Sequence, residues 1–92
     1  MKYFDWDEEK NKRLKKERKI SFESVVIAIS EENVLDIVDH PNTKRYPNQK
    51  IYIVTINDYA YLVPYIEDEE KYFLKTIIPS RKMTKKYLRW GD

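Results

Sequence analysis

Residues 50–56 (KIYIVTI) and 59–66 (YAYLVPYI) are two β-rich runs separated only by Asn57-Asp58, and no other stretch restricts the possible folds as tightly. Asn and Asp tolerate the left-handed backbone that two-residue hairpin turns demand, so the runs are expected to pair as an antiparallel hairpin. A period-two stretch from Val34, with Leu35 and Ile37 on one face, reads as a strand before it. Residues 72–78 (YFLKTII) read as one after it, reached through the acidic turn Glu67-Asp68-Glu69-Glu70. The segment 40–49 (HPNTKRYPNQ) is rich in turn residues and reads as an exposed loop. Pro64 has no N–H to give to a ladder, so its position is expected to face an edge or a bulge.

Upstream of the hairpin the period is helical. Asp5 followed three positions later by Glu8 reads as a capping box opening a helix over about residues 7–18. Its pairs Glu8/Lys12 and Glu9/Arg13 have the favourable i,i+4 order. Leu14 is almost its only apolar member, so this helix is expected on the surface, pinned by Trp6 and Leu14, with Phe4 and Trp6 packing beneath it. Ser21 is a plausible N-cap for a second, core helix that buries Phe22, Val25, Val26 and Ile29. After Pro79, residues 81–90 place Met83, Tyr87 and Trp90 on one helical face and Lys82, Lys85, Lys86 and Arg89 mostly on the other. The expectation is a single α+β domain over residues 1–92. Two N-terminal helices pack on a twisted antiparallel sheet of about four strands, and a short C-terminal helix follows.

Composition removes several function classes. The absence of cysteine rules out a disulfide scaffold and thiolate metal sites. One histidine and scattered carboxylates point to no metal site, and a lone Gly91 leaves no glycine-rich nucleotide loop, so no cofactor is expected. No apolar run approaches the roughly 20 residues that cross a bilayer, and the start MKYFDWDEEK has acids where a signal peptide needs an apolar stretch. A cytoplasmic protein without membrane contact is expected.

The net charge of +2 conceals an uneven distribution. Residues 10–19 carry seven Lys or Arg against one acid, Glu17, and residues 71–92 carry seven against Asp92, while residues 20–70 hold ten acids and three basic residues. A fold that brings the two basic segments together would make a positive patch suited to a polyanion.

The start Phe4-Asp5-Trp6-Asp7-Glu8-Glu9-Lys10-Asn11, the element Ser21-Phe22-Glu23 and the ending Ile77-Ile78-Pro79-Ser80-Arg81-Lys82-Met83-Thr84-Lys85-Lys86 come in the order, and at about the spacing, of BrnT-like toxins. The chain resembles that family over nearly its full length. The resemblance implies a RelE-like fold, with helices on one face of a twisted antiparallel sheet. It implies an endoribonuclease toxin of a type II toxin–antitoxin system, cleaving mRNA without a metal and inhibiting translation. It further implies a cognate antitoxin, usually encoded adjacent and often DNA-binding, that covers the active surface in a hetero-oligomer. Two positions depart from the family pattern: Arg18-Lys19 stands where His-Gly is common, and Lys75 or Thr76 where the last strand has Arg. The rival reading is a non-catalytic interaction module, a degenerate toxin that binds an antitoxin or RNA without cleaving it.

Metal-free RNA cleavage needs a base for the 2′-hydroxyl, cations for the phosphate and a proton for the departing 5′-oxygen. Arg81 is the expected phosphate anchor, since a guanidinium offers parallel donors and the residue falls at a strand-to-helix junction. Lys82, Lys85, Lys86, Lys75, Lys10 and Arg13 are the expected RNA-binding cations. His40, the only histidine, and Glu67, in Tyr65-Ile66-Glu67, are the competing general bases. Tyr87 is a candidate proton donor or stacking platform, and Tyr46, Tyr52 and Tyr61 are weaker stacking candidates.

Overall fold

A computed structural model describes residues 2–88. In chain order the elements are β1 (Tyr3–Asp5), α1 (Glu8–Arg18), α2 (Phe22–Ser30), β2 (Val34–Asp39), β3 (Gln49–Ile56), β4 (Tyr59–Glu67), β5 (Lys71–Leu74), β6 (Ile78–Pro79) and α3 (Arg81–Leu88). Asn57 and Asp58 both take positive φ, as a two-residue hairpin turn requires, and β3 and β4 pair from Gln49↔Ile66 to Ile56↔Tyr59.

The architecture is α+β, but the expected sheet of about four antiparallel strands is overturned. Six strands form one mixed sheet in the order β1-β5-β4-β3-β2, with β6 also pairing β4. β1 runs parallel to β5, and a parallel strand of three residues leaves no period for sequence reading to find. The expected strand 72–78 is split in two. Lys75 donates its N–H to the Pro64 carbonyl at 2.8 Å, but Pro64 has no N–H to return. The ladder breaks there, and its register moves by one residue between Tyr65↔Leu74 and Leu62↔Ile78.

Side chains alternate across the sheet, so the register assigns each to a face. Tyr52, Val54, Val63 and Tyr65 share one face and form the main core with Leu14, Ile20, Phe22, Val25, Leu74 and Ile77. Helices α1 and α2 cover that face. Trp6 stacks on Phe22 with ring centroids 5.7 Å apart, and Phe4 stacks on Tyr72 at 5.2 Å. Ile53 and Ala60 point to the opposite face, yet both are buried, because α3 lies over them. Thr84 of α3 accepts the Ala60 N–H at 2.9 Å, and Tyr87 reaches Asp36 on β2 at 2.8 Å. The implied arrangement with helices on one face therefore does not occur: α3 crosses the other face, from the β6 edge towards β2.

The local signals act with small shifts. The N-cap of α1 is Asp7, whose side chain accepts from the Glu9 and Lys10 amides; Asp5 is taken up by the Trp6 N–H and the Lys71 ammonium, so the Asp5/Glu8 box does not form. Ser21 caps α2 through the Ser24 N–H, as expected. Lys19 ends α1 at φ 54°, a left-handed position that favours glycine. Of the expected α3 face, Met83 and Tyr87 are half-buried, while Arg89 and Trp90 lie outside the described residues.

Candidate nucleic-acid interface

The expected catalytic residues are not brought together. Arg81 opens α3 directly after Ser80, whose N–H bonds the Ala60 carbonyl at the start of β4. Glu67 closes the same strand seven residues on, about 23 Å away at ~3.3 Å per residue. It pairs there with Lys2 and sits half-buried. His40 is at the Glu67 end as well: its N–H bonds the Gln49 carbonyl, its Nδ1 accepts from Asn42, and its ring lies 4.5 Å from that of Tyr46. Tyr87 donates to Asp36 on β2, which holds the Asp36 carboxyl below the usual range and pushes the Tyr87 hydroxyl up. Tyr52 is buried and stacked on Tyr65 at 4.2 Å, where burial pushes both hydroxyls up, so it belongs to the core and not to a base platform.

The cations group differently. Two of the expected RNA-binding residues, Lys10 and Arg13, lie together where α1 meets the segment joining β5 to β6. Lys10, Arg13, Leu14, Glu17, Arg18 and Thr76 line a groove of about 200 Å³ there, and Lys75 is exposed beside it. Arg18 fastens α1 to this edge by donating Nη1 to the Ile77 carbonyl at 3.2 Å. Its remaining donors stay available. Arg81 follows Ile77 by four residues, a span of at most about 14 Å, so α1 and the start of α3 approach one sheet edge from opposite faces. The basic helices α1 and α3 therefore lie on opposite faces, and their cations do not pool in one groove over the sheet. Lys82 and Lys85 are exposed on α3, and Lys86 has moved on to lie 5.3 Å from the Tyr87 ring centroid.

The rotation of α1 follows from two buried side chains. Leu14 enters the core, and fully buried Asn11 accepts the Phe22 N–H at 2.8 Å while donating to Glu23 at 2.7 Å. With 11 and 14 turned inward, the helical period carries 10, 13 and 17 to the groove side. Among the described residues Lys10, Arg13, Arg81 and Glu17 have no ion-pair partner, so Glu17 is an uncommitted carboxylate among uncommitted cations. Glu17 and Arg18 line the groove but were not among the expected site residues, although their helical spacing from Lys10 and Arg13 was the available signal.

A larger depression of about 520 Å³, lined by Lys2, Lys50, Glu67, Asp68 and Glu69 among others, lies at the far end of the sheet. Its three acids make it a poor seat for a phosphodiester. Among the described residues no three His, Asp or Glu side chains converge as a metal site would need, and no helix is long and apolar enough to cross a membrane.

A family model for the ribonuclease toxin BrnT of type II toxin–antitoxin systems matches residues 6–86. The chain belongs to the BrnT family. No curated protein and no solved structure matches it. BrnT toxins are ribonucleases of systems that pair a toxin with a protein antitoxin. The motifs that carried the resemblance to BrnT are largely architectural. Asn11 ties the first to Ser21-Phe22-Glu23, and Ser80 and Thr84 of the last dock α3 on Ala60. Arg18 and Thr76, which stand at the two expected departures from the BrnT pattern, both line the groove.

Proposed function

We propose that this BrnT chain is an endoribonuclease that cleaves mRNA in the edge groove between α1 and the β5–β6 segment, using no metal, and thereby stops translation in the cytoplasm. The observation that carries the reading is Glu17, a carboxylate with no ion-pair partner among the described residues that lines a groove with Lys10, Arg13 and Arg18. Glu17 takes the proton of a ribose 2′-hydroxyl. The freed O2′ attacks phosphorus, the O2′–P bond forms and the P–O5′ bond breaks, leaving a 2′,3′-cyclic phosphate. The departing 5′-oxygen takes its proton from the Lys10 ammonium, which solvent restores. Arg13 and Arg18 hold the phosphate oxygens as their charge grows, and a guanidinium fits that task by offering parallel donors. Lys75 and Arg81 hold flanking phosphates, which keeps Arg81 as an anchor but not the central one. His40, Glu67 and Tyr87 take no part, because they stand at other places on the sheet.

The test is cleavage of a fluorescent RNA by the purified chain, with and without EDTA. Cleavage is expected in both, with a roughly 10²–10⁴-fold loss for Glu17→Gln. Arg81→Ala is expected to weaken RNA binding and reduce its salt slope by about 0.7, one single-strand phosphate contact. Full activity of Glu17→Gln removes Glu17 from the mechanism, and loss in Glu67→Gln or His40→Ala instead moves the base to the far end. No cleavage at high protein concentration, with binding retained, makes the chain the non-catalytic module.

A further inference from the structure

The sheet has one long open edge. β2 ends the strand order, and among the described residues nothing pairs with its outer side. Inward bonds fall on alternate residues, and the His40 N–H bonds Gln49 across the ladder, so the main-chain groups of Ile37 and Asp39 point outward. The Ile37 N–H is held by its neighbour, Asp36 Oδ1, at 2.8 Å, and Asp36 Oδ2 accepts the Tyr87 hydroxyl at 2.8 Å. Ile37 is nonetheless 49% exposed on the strand. From residue 31 to 39 the surface carries Glu31, Glu32, Asp36 and Asp39 and no Lys or Arg.

We infer that the outer edge of β2 takes up an extended, basic segment of the BrnT antitoxin as an added strand. Main-chain bonds to Ile37 and Asp39 supply the register, and Lys or Arg side chains of the segment answer Asp36 and Asp39. A second copy of this chain offers no Lys or Arg along its own residues 31–39, so its β2 edge answers neither Asp36 nor Asp39. The added strand displaces Asp36 Oδ1 from the Ile37 N–H, so the side chain that shields the empty edge becomes a charge partner of the occupant. This edge lies across the sheet from the proposed RNA groove, with β3, β4 and β5 between them. Docking and cleavage are therefore separable by mutation.

The probe is the protein encoded by the reading frame adjoining this chain's gene, co-expressed and purified with it. Hydrogen exchange of the Ile37 and Asp39 amides is expected to slow at least 10-fold in the complex relative to the free chain. Ile37→Pro removes an outward N–H while leaving the β2–β3 ladder its donors, as edge strands allow. It is expected to weaken the complex at least 10-fold, and Asp36→Lys/Asp39→Lys similarly, with RNA cleavage by the free variants unchanged. Unaltered exchange at both amides overturns the inference even if the proline variant does not fold. So does wild-type binding by Ile37→Pro, or a salt-resistant homodimer of the free chain that this substitution disrupts. Loss of cleavage in Glu17→Gln with normal antitoxin binding bears on the RNA site alone, which keeps the two readings distinguishable.

Discussion

Replacing Asn11 with alanine tests whether one buried amide sets the geometry of the N-terminal half. The side chain is 0% exposed, and both its ends are used: Oδ1 takes the Phe22 N–H at 2.8 Å and Nδ2 donates to Glu23 at 2.7 Å. Alanine strands the Phe22 amide in a buried position, at a cost of about 1–3 kcal/mol. Glu23 is half-exposed and regains water, so the second bond adds only about 0.5–1 kcal/mol. The sum is about 1.5–4 kcal/mol, and at ~4–8 °C per kcal/mol for a domain of this size Tm should fall by roughly 6–32 °C. Calorimetry and urea unfolding read it, with the urea midpoint dropping at constant slope. The exchange Asn11→Asp/Glu23→Gln reverses donor and acceptor across the same gap, and it should recover at least half of the loss suffered by Asn11→Asp alone. An alanine variant within about 1 kcal/mol of the parent, or an exchange no better than its single mutant, refutes the claim that this bridge fixes α1 against α2.

At the other end of the chain, Thr84→Val keeps the shape of a fully buried side chain but removes the hydroxyl that accepts from Ala60 and donates to the Ser80 carbonyl. It should cost about 1–3 kcal/mol in urea unfolding, and a neutral result would mean that α3 is held by apolar contact alone. In acid, the Lys71 ammonium beside Asp5, the Asn11 amide on Glu23 and the Glu70 and Lys71 amides on Asp68 hold these carboxyls below their ordinary values of 3.8, 4.5 and 3.8. Groups lowered in the folded state stabilise it fully above those values and lose the contribution as pH falls through and below them. Tm should thus be nearly level at neutral pH and drop below about pH 4.5, whereas a Tm that rises on acidification contradicts the sign.

Much of the local structure was legible because it depends on near neighbours. Ser21 caps its helix, Asn57-Asp58 turns its hairpin, and Pro64 breaks its ladder, each through the conformation or bonding capacity of that residue. The Asp5/Glu8 box failed for a tertiary reason: Lys71, 66 positions away, claims Asp5. The split of the last strand was half legible, since Pro64 announced an edge or a bulge but not which, nor which partner would shift. The site was the least readable part. His40 and Glu67 stand out in the sequence by type, while Glu17 is one acid in a basic run and gains meaning only from its place in the groove.

The amino-acid order by itself determined the hairpin, the two N-terminal helices and the two blocks of positive charge, because period and turn chemistry act within a few residues. Only the tertiary structure decided that β1 joins β5 in parallel, that α3 crosses to the opposite face, and that Lys10, Arg13 and Arg18 line a groove at the β5–β6 edge. Strand pairing over long separations, and the choice of face after Ser80, are set by which surfaces can be buried together, and a linear pattern does not encode that competition.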